Sequence, residues 1–425
     1  MTRTVPHCSR GFLLASLICL ALPLAATAQD GDATAAADTA RTPSITGVWG
    51  PRSHGSEVRI VGRDFGTREV DIASTLGPDS WVESSRDGTS LDRAKGATGW
   101  ASFANNNAAF IDSGRYHSGT RSINASVDRS LDDDWNKVVH YKHDQRFDSI
   151  YATWWIYFDP IKYADNTQWK MWRVSDDAGT VTASDNCASP YQNSYWSEGD
   201  DPVEYETIFH CLFGCDWPAA MRCTADLVVD PPYEPRYGDP YQYRYHNRGA
   251  TEDYAVNLPQ PGTWCRAEIF LQASDVDVAN GRFWLSINKP GEPRKIIDNW
   301  VDGLLTHTSE CCSDQTNSWQ HFVLHGYWDD NGGDFHDEEA AIYYDDVYLQ
   351  FNGTARVELG NAAQFENCTQ LEIQELRQWG DSEIVIELNH GAFTPGSDTW
   401  LYVVLDDGTV SNSMPARLKA DSVDH

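Results

Sequence analysis

The sequence predicts an all-β protein made of a large and a small β-sandwich. Three observations carry this. Short segments alternating apolar and polar residues recur from Val58 to Val404. Glycine, proline, asparagine and aspartate punctuate them, and apolar residues at helical spacing are scarce. A strand with one buried face requires such alternation, because successive side chains point to opposite sides of the sheet.

The first 28 residues read as a signal peptide. Arg3 and Arg10 precede an apolar run from Gly11 to Ala25, and Ala26-Thr27-Ala28 offers a small-x-small cleavage site. The run is too short for a spanning helix, which needs about 20 apolar residues. No other stretch is long and apolar enough to span a bilayer. An exported protein, periplasmic or extracellular, is expected. Residues 29–43, rich in Ala, Asp and Thr, read as a disordered lead. Residues 44–97 hold a strand around Val58 and Ile60, followed by a linker. Residues 98–358 form the large unit, with strands at 121–127, 137–143, 150–158, 168–174, 264–272, 282–287, 319–327 and 341–351. Residues 359–425 hold two more strands, around Ile384 and at Trp400–Val404, with a turn at Asp407-Gly408.

Charge and cysteine content narrow the function. The formal net charge is −31, and residues 1–28 contribute two basic residues and no acidic one. Such a chain is repelled by nucleic acid and by anionic membranes, so neither is an expected partner. A monomer is expected. An anionic substrate would need a site that concentrates local positive charge. Beyond the signal lie Cys187, Cys211, Cys215, Cys223, Cys265, Cys311, Cys312 and Cys368, an even number, and disulfides are expected in an oxidising compartment. Pairing cannot be read from spacing. Zinc on His210, Cys211, Cys215 and Cys223 is the competing reading.

Two resemblances refine the fold. Gly62-Arg63-Asp64-Phe65-Gly66 resembles the Gly-x-x-Phe-Gly strand end of IPT/TIG immunoglobulin-like modules, and Trp379–Glu387 with Trp400–Val404 resembles their later strands. This implies one immunoglobulin-like sandwich interrupted by a large insertion; two partial modules are the alternative. In the insertion, Tyr116–Ser122, Gly262–Glu268 and Tyr343–Leu349 resemble the opening, middle and closing strands of concanavalin A-like jelly rolls of secreted polysaccharide lyases. Binding modules share these signatures. The resemblance implies a jelly roll and a polysaccharide partner.

Alternation assigns side chains to faces. In 264–272, Cys265, Ala267, Ile269 and Leu271 form an apolar row, and Trp264, Arg266, Glu268, Phe270 and Gln272 form a row too polar for a core. In 319–327, Phe322 and Leu324 point inward, with His321, His325 and Tyr327 outward and Trp319 in line. In 168–173, Gln168, Lys170 and Trp172 share a row. Tyrosines alternate with Arg244, His246 and Arg248 in Tyr241–Arg248, and Tyr141-Lys142-His143 forms a third set. Aromatics beside cations and amides suit an acidic sugar: rings stack on pyranose faces, and arginine grips a carboxylate with two bonds.

The Arg-x-Glu of Arg266 and Glu268 resembles a strand motif of jelly-roll alginate lyases, but Phe270 stands where that motif has a second arginine, and the family's Gln-Ile-His is absent. β-Elimination on a uronate would use Arg266 as carboxylate neutraliser supported by Gln168, and His325 or His246 as base. Tyr245 or Tyr327 would be the acid, and Lys170 would hold a neighbouring carboxylate. Trp172, Trp264, Glu268, His321, Trp319 and Arg244 are expected to bind substrate. A solvated pair of Arg266 with Glu268 and packed histidines are the competing readings.

The chain lacks the Glu-x-Asp-x-x-Glu of jelly-roll hydrolases, although a carboxylate pair from different strands, such as Glu204 or Glu206 with Glu268, keeps a hydrolase open. The acidic loop with Asp329, Asn331 and Asp334 offers a calcium site, with a solvated turn as its competitor; Asp345 and Asp346 offer another on the jelly-roll resemblance. No cofactor is required. The expected function is a secreted polysaccharide lyase, against a non-catalytic glycan-binding or adhesion protein.

Overall fold

The computed structural model describes residues 42–70, 99–104, 109–128, 136–162, 168–175, 189–196, 202–210, 243–246, 259–276, 278, 280–294, 297–298, 318–329 and 339–419. The signal-peptide segment lies outside them. Among the described residues there is no α-helix, and none long and apolar enough to cross a membrane.

Two large antiparallel sheets form a jelly-roll sandwich. The first has the order β12 (Tyr243–His246), β11 (Pro202–His210), β10 (Ser189–Trp196), β9 (Gln168–Ser175), β16 (Trp319–Asp329), β7 (Asn136–Phe147), β3 (Gly99–Ala104). The second runs β15 (Ile297–Asp298), β14 (Arg282–Asn288), β13 (Thr263–Gln272), β8 (Ser149–Lys162), β17 (Glu339–Phe351), β5 (Ser122–Asn124), β4 (Phe110–Asp112), with β6 (Val127–Asp128) beside β17.

The core between them follows the alternation. Ile150, Ala152, Trp154, Ile156 and Phe158 of β8 point inward, as do Cys265, Ala267, Ile269 and Leu271 of β13. Phe158 stacks on Trp169 at 3.9 Å between centroids. Full burial of a large apolar side chain contributes about 1.5–3 kcal/mol.

A small sandwich draws strands from both ends of the chain. One sheet has the order β1 (Ser44–Trp49), β2 (Glu57–Arg63), β21 (Glu383–Glu387), β20 (Glu375–Trp379); the other β19 (Leu371–Ile373), β18 (Arg356–Gly360), β22 (Trp400–Val404), β23 (Met414–Pro415). Val58 opposes Ile386 and Ile60 opposes Ile384, and these share one core with Phe65, Val357, Leu359, Leu401 and Val403. A Cβ on Gly62 would lie 2.1 Å from the Ser44 carbonyl oxygen and 2.3 Å from the Phe65 ring, so only glycine fits. Phe65 is held in turn: its carbonyl accepts a hydrogen bond from the Trp379 indole at 3.0 Å, and the Gly66 amide donates to Asp381 at 3.1 Å. The boundary expected at 358 moves, because β17 ends at Phe351 and β18 belongs to the small sandwich.

The small sandwich packs on the outer face of the β13–β8 sheet. Ile373 sits among Tyr151, Phe270, Trp284 and Tyr348 there. Below this contact lies a buried ion network. Arg266 donates two bonds to Glu358 (2.8 and 2.9 Å), one to the Leu371 carbonyl (2.8 Å) and one to Thr153 (2.9 Å). Arg356 donates to Glu358 at 2.6 Å, and Glu268 accepts from Arg294 at 2.7 Å and from Tyr151 at 2.8 Å.

Cys265 and Cys368 are buried free thiols, which corrects the expected disulfides at these two positions. They lie in separate cores: Cys265 between the large sheets, Cys368 beside Leu371 and Tyr402 in the small sandwich. Cys187, Cys211, Cys215, Cys223, Cys311 and Cys312 lie outside the described residues.

Candidate functional site

The outer face of the β9–β16–β7 part of the first sheet gathers cations and imidazoles. Trp169, Trp172 and Val174 enter the core, and β10 registers Tyr191 on Arg173 and Asn193 on Lys170. The strand β9 thus carries an extra residue between Lys170 and Arg173, a β-bulge that returns both to one face. Lys170 is partly buried; burial, then the nearby Arg173 charge, lowers its pKa to about 8. On the neighbouring strands, His140 Nδ1 and His321 Nε2 are 2.8 Å apart, and the other His321 nitrogen is 3.4 Å from the Ser175 hydroxyl. One imidazole nitrogen of that pair must lack its proton for the bond to form.

β16 brings Tyr327 to the register position opposite Lys170 and Asp329 opposite Gln168, with His325 in the bulge between Leu324 and Tyr327. Tyr245 and His246 lie on β12, registered on Thr207 and Glu206 of β11, with Arg244 opposite Ile208. Lys170, His321, His325, Tyr327, Gln168, Arg244, Tyr245 and His246 therefore belong to one sheet. Asn331 and Asp334 lie outside the described residues, and Asp329 ends β16.

Four expected site residues are corrected. Arg266 and Glu268 do share the non-core row of β13, but that row belongs to the opposite large sheet and is sealed by the small sandwich; they are 1% and 0% exposed. Burial alone would raise the Glu268 pKa, yet Arg294, Arg266 and Arg356 hold it well below the usual carboxylate range. Burial would lower Arg266, but Glu358 and Glu268 drive it well above its ordinary value. Their charges are spent on each other. Trp172 is fully buried against Phe283, with centroids 5.9 Å apart, because the β9 bulge breaks period two. Trp319 is fully buried because a register shift separates it from His321. Tyr141, partly buried, packs against the core. Arg173, His140 and Ser175 were not anticipated: strict alternation placed Arg173 on the wrong row, whereas His140 was legible opposite the apolar Val139.

The Asp345–Asp346 pair does not fit calcium. A bulge between Asp345 and Tyr348 and a left-handed Asp346 (φ 46°) turn both carboxylates toward the loop after β4. Asp345 accepts from the His117, Ser118 and Asp346 amides, and Asp346 from the Ser118 hydroxyl at 2.8 Å and His117 Nδ1 at 2.9 Å. Calcium needs six to eight oxygen ligands, and here donors occupy the oxygens. Burial, with Asp346 beside it, raises the Asp345 pKa well above its ordinary value.

A second concavity of about 430 Å³ lies where the small sandwich leaves the outer face of the second sheet uncovered. Trp264 lines it. His117 forms part of its wall, stacked on Trp155 at 3.6 Å, with its Nε2 3.8 Å from Glu372.

No protein family description and no characterised sequence matches the chain. Among solved structures, the chain is similar to alginate lyase Aly36B, at 10% identity over 72% of this chain and 98% of that one, with a TM-score of 0.36. It is similar to the marine PL-14 alginate lyase from Aplysia kurodai at 9% identity over 63% and 100%, with a TM-score of 0.38. It is also similar to lectin II from Ulex europaeus at 9% identity over 63% and 100%, with a TM-score of 0.30. Similarity this weak says nothing about activity.

Proposed function

We propose that this is a secreted polysaccharide lyase that cleaves a uronate-containing glycan by β-elimination on the β9–β16–β7 face. The observation that carries the reading is the placement of Lys170 and Arg173 beside the His140–His321 pair in a chain of net charge −31. A strongly acidic protein that gathers cations on one sheet face has built a local well for an anion. Lys170 and Arg173 meet the uronate carboxylate, which makes the C5 proton more acidic. A base among His325, His246 and Tyr327 removes that proton. The electron pair forms the C4–C5 double bond, the C4–O bond breaks, and an acid, Tyr245 or Tyr327, protonates the leaving oxygen. The balance needs no oxidant, reductant or cofactor. The small sandwich, read as an IPT/TIG-like module, is a spacer or anchor.

The test is incubation with polymannuronate, polyguluronate, polygalacturonate and hyaluronan while following ultraviolet absorbance of the unsaturated product. Growth of absorbance, abolished in Arg173→Ala with the fold intact, supports the lyase. Retention on a glycan column with no absorbance change across the panel replaces it with a glycan-binding protein. New reducing ends without the chromophore mean a hydrolase.

A further inference from the structure

The cavity at the edge of the small sandwich lies on the opposite large sheet from the proposed catalytic face. We propose that it is a second, independent glycan-binding site that takes a pyranose unit. Its volume, about 430 Å³, is that of a small-ligand pocket, about 300–1,000 Å³, and junctions between packed units are where such pockets form.

The chemistry of the lining selects the ligand. The outer rows of β13 and its neighbours carry aromatic residues at both ends, with the Arg266–Glu268 network between them. At one end, Phe270, Trp284 and Tyr151 are covered by Ile373. At the other, Trp264 remains partly exposed and stands edge-on to Tyr157 (5.9 Å) and to His117 (6.0 Å). His117 and Trp155 form a stacked pair tilted by only 15°. The walls are therefore flat rings that offer an apolar body with a polar edge.

Hydrogen-bonding groups ring this floor. Asn288 and Lys289 come from the end of β14, and Asn361 and Gln370 from the small sandwich. Amides both donate and accept, as sugar hydroxyls require. The polar supports are fixed. The Gln370 amide donates to Glu372 at 3.0 Å, the Trp155 indole donates to the same carboxylate at 3.1 Å, and Asn361 bonds the Thr369 hydroxyl at 2.9 Å. Anchored side chains lose little further freedom on binding. A purely apolar ligand would leave the remaining donors and acceptors of these amides unused, and a bare anion would leave the rings unused. A pyranose, with one apolar face and a rim of hydroxyls, uses both.

The test is isothermal titration of the full chain carrying Lys170→Ala and Arg173→Ala, which disables the proposed catalytic face. The probes are trimers of mannuronate, guluronate, galacturonate, glucose and xylose. At least one trimer is expected to bind with one site per chain. Its affinity should fall at least tenfold on adding Trp264→Ala, and likewise on adding Thr369→Trp, which fills the rim without removing core. Near-ultraviolet dichroism checks the fold of each variant. Absence of binding by every trimer at millimolar concentration overturns the proposal, as does binding that survives both added variants. Product absorbance is read separately on the unmodified chain, so failure of the lyase reading and failure of this site are distinguishable.

Discussion

Replacing Arg266 by alanine tests whether the sealed row of β13 is structural. The arginine makes five hydrogen bonds, two of them charge-paired with Glu358 and a longer one, 3.5 Å, with Glu268. Its loss leaves Glu358 still bonded to Arg356, and Glu268 still bonded to Arg294 and Tyr151. The remaining groups are two arginines and two glutamates, a neutral set. The cost comes from lost bonds and a cavity, so it falls at the low end of the range for breaking a buried pair, about 3 kcal/mol. Glu358→Gln keeps the volume but leaves three buried guanidinium groups facing one carboxylate. That uncompensated charge places its cost at about 5 kcal/mol, above the arginine deletion. Thermal unfolding followed by near-ultraviolet dichroism at pH 7 reads both as shifts of the apparent midpoint, about 5–10 °C for the arginine variant and more for the glutamine variant. A chain with two sandwiches need not unfold in one step, so the transition that carries the small sandwich is the one compared. Midpoints unchanged in both variants, or a larger loss in Arg266→Ala than in Glu358→Gln, would refute the reasoning. Lost β-elimination with an unchanged midpoint in Arg266→Ala would restore a catalytic arginine.

Other expectations follow from single sites. Lys170 must be protonated to hold a carboxylate, and its pKa is lowered to about 8, so kcat/KM should fall as pH rises through about 8 and the step should vanish in Lys170→Met; a flat profile in the parent protein removes the lysine from the site. Gly62→Ala forces a Cβ against the Ser44 carbonyl and should cost about 1–3 kcal/mol, read as a lower unfolding midpoint; an unchanged midpoint would show that β1 shifts freely. Burial raises the Cys265 thiol to about 11, so Cys265 and Cys368 should resist a thiol reagent at pH 8 until the chain is unfolded without reductant; rapid labelling of either in the folded protein contradicts their burial.

Fold class was legible because it rests on periodicity. The apolar row of β13 and the inward Phe322 and Leu324 fall where alternation puts them. The chain ends pair through β2 and β21, and Gly62 is demanded there by a close backbone approach. Faces failed where a strand carries a bulge. One extra residue in β9 sent Trp172 inward and Arg173 outward, and a register shift in the β16–β7 pairing, with the extra residues on β7, accompanies the inward turn of Trp319. Alternation is a local rule, whereas a bulge is set by the partner strand. Arg266 failed for a different reason. The rule that a polar row faces water holds only if no second unit covers it, and the covering residues Glu358 and Leu371 lie 92 and 105 positions away in sequence.

That covering bears on which face the proposed lyase would use. A jelly roll offers two outer sheet faces. In this chain Arg266 and Glu268 of the second sheet, with Arg294 beside it, are engaged with Arg356 and Glu358 of the small sandwich, so these charges pair inside a buried junction. A charge satisfied there cannot also polarise a substrate without breaking a bond worth several kcal/mol. What survives on that face is aromatic and amide chemistry around Trp264, with His117 in the wall already bonded to Asp346. On the first sheet, burial and then the nearby Arg173 charge lower the Lys170 pKa to about 8. A uronate carboxylate brought beside these two cations would favour their charged forms. On the proposed reading, the small sandwich leaves elimination to the first sheet and recognition to the second.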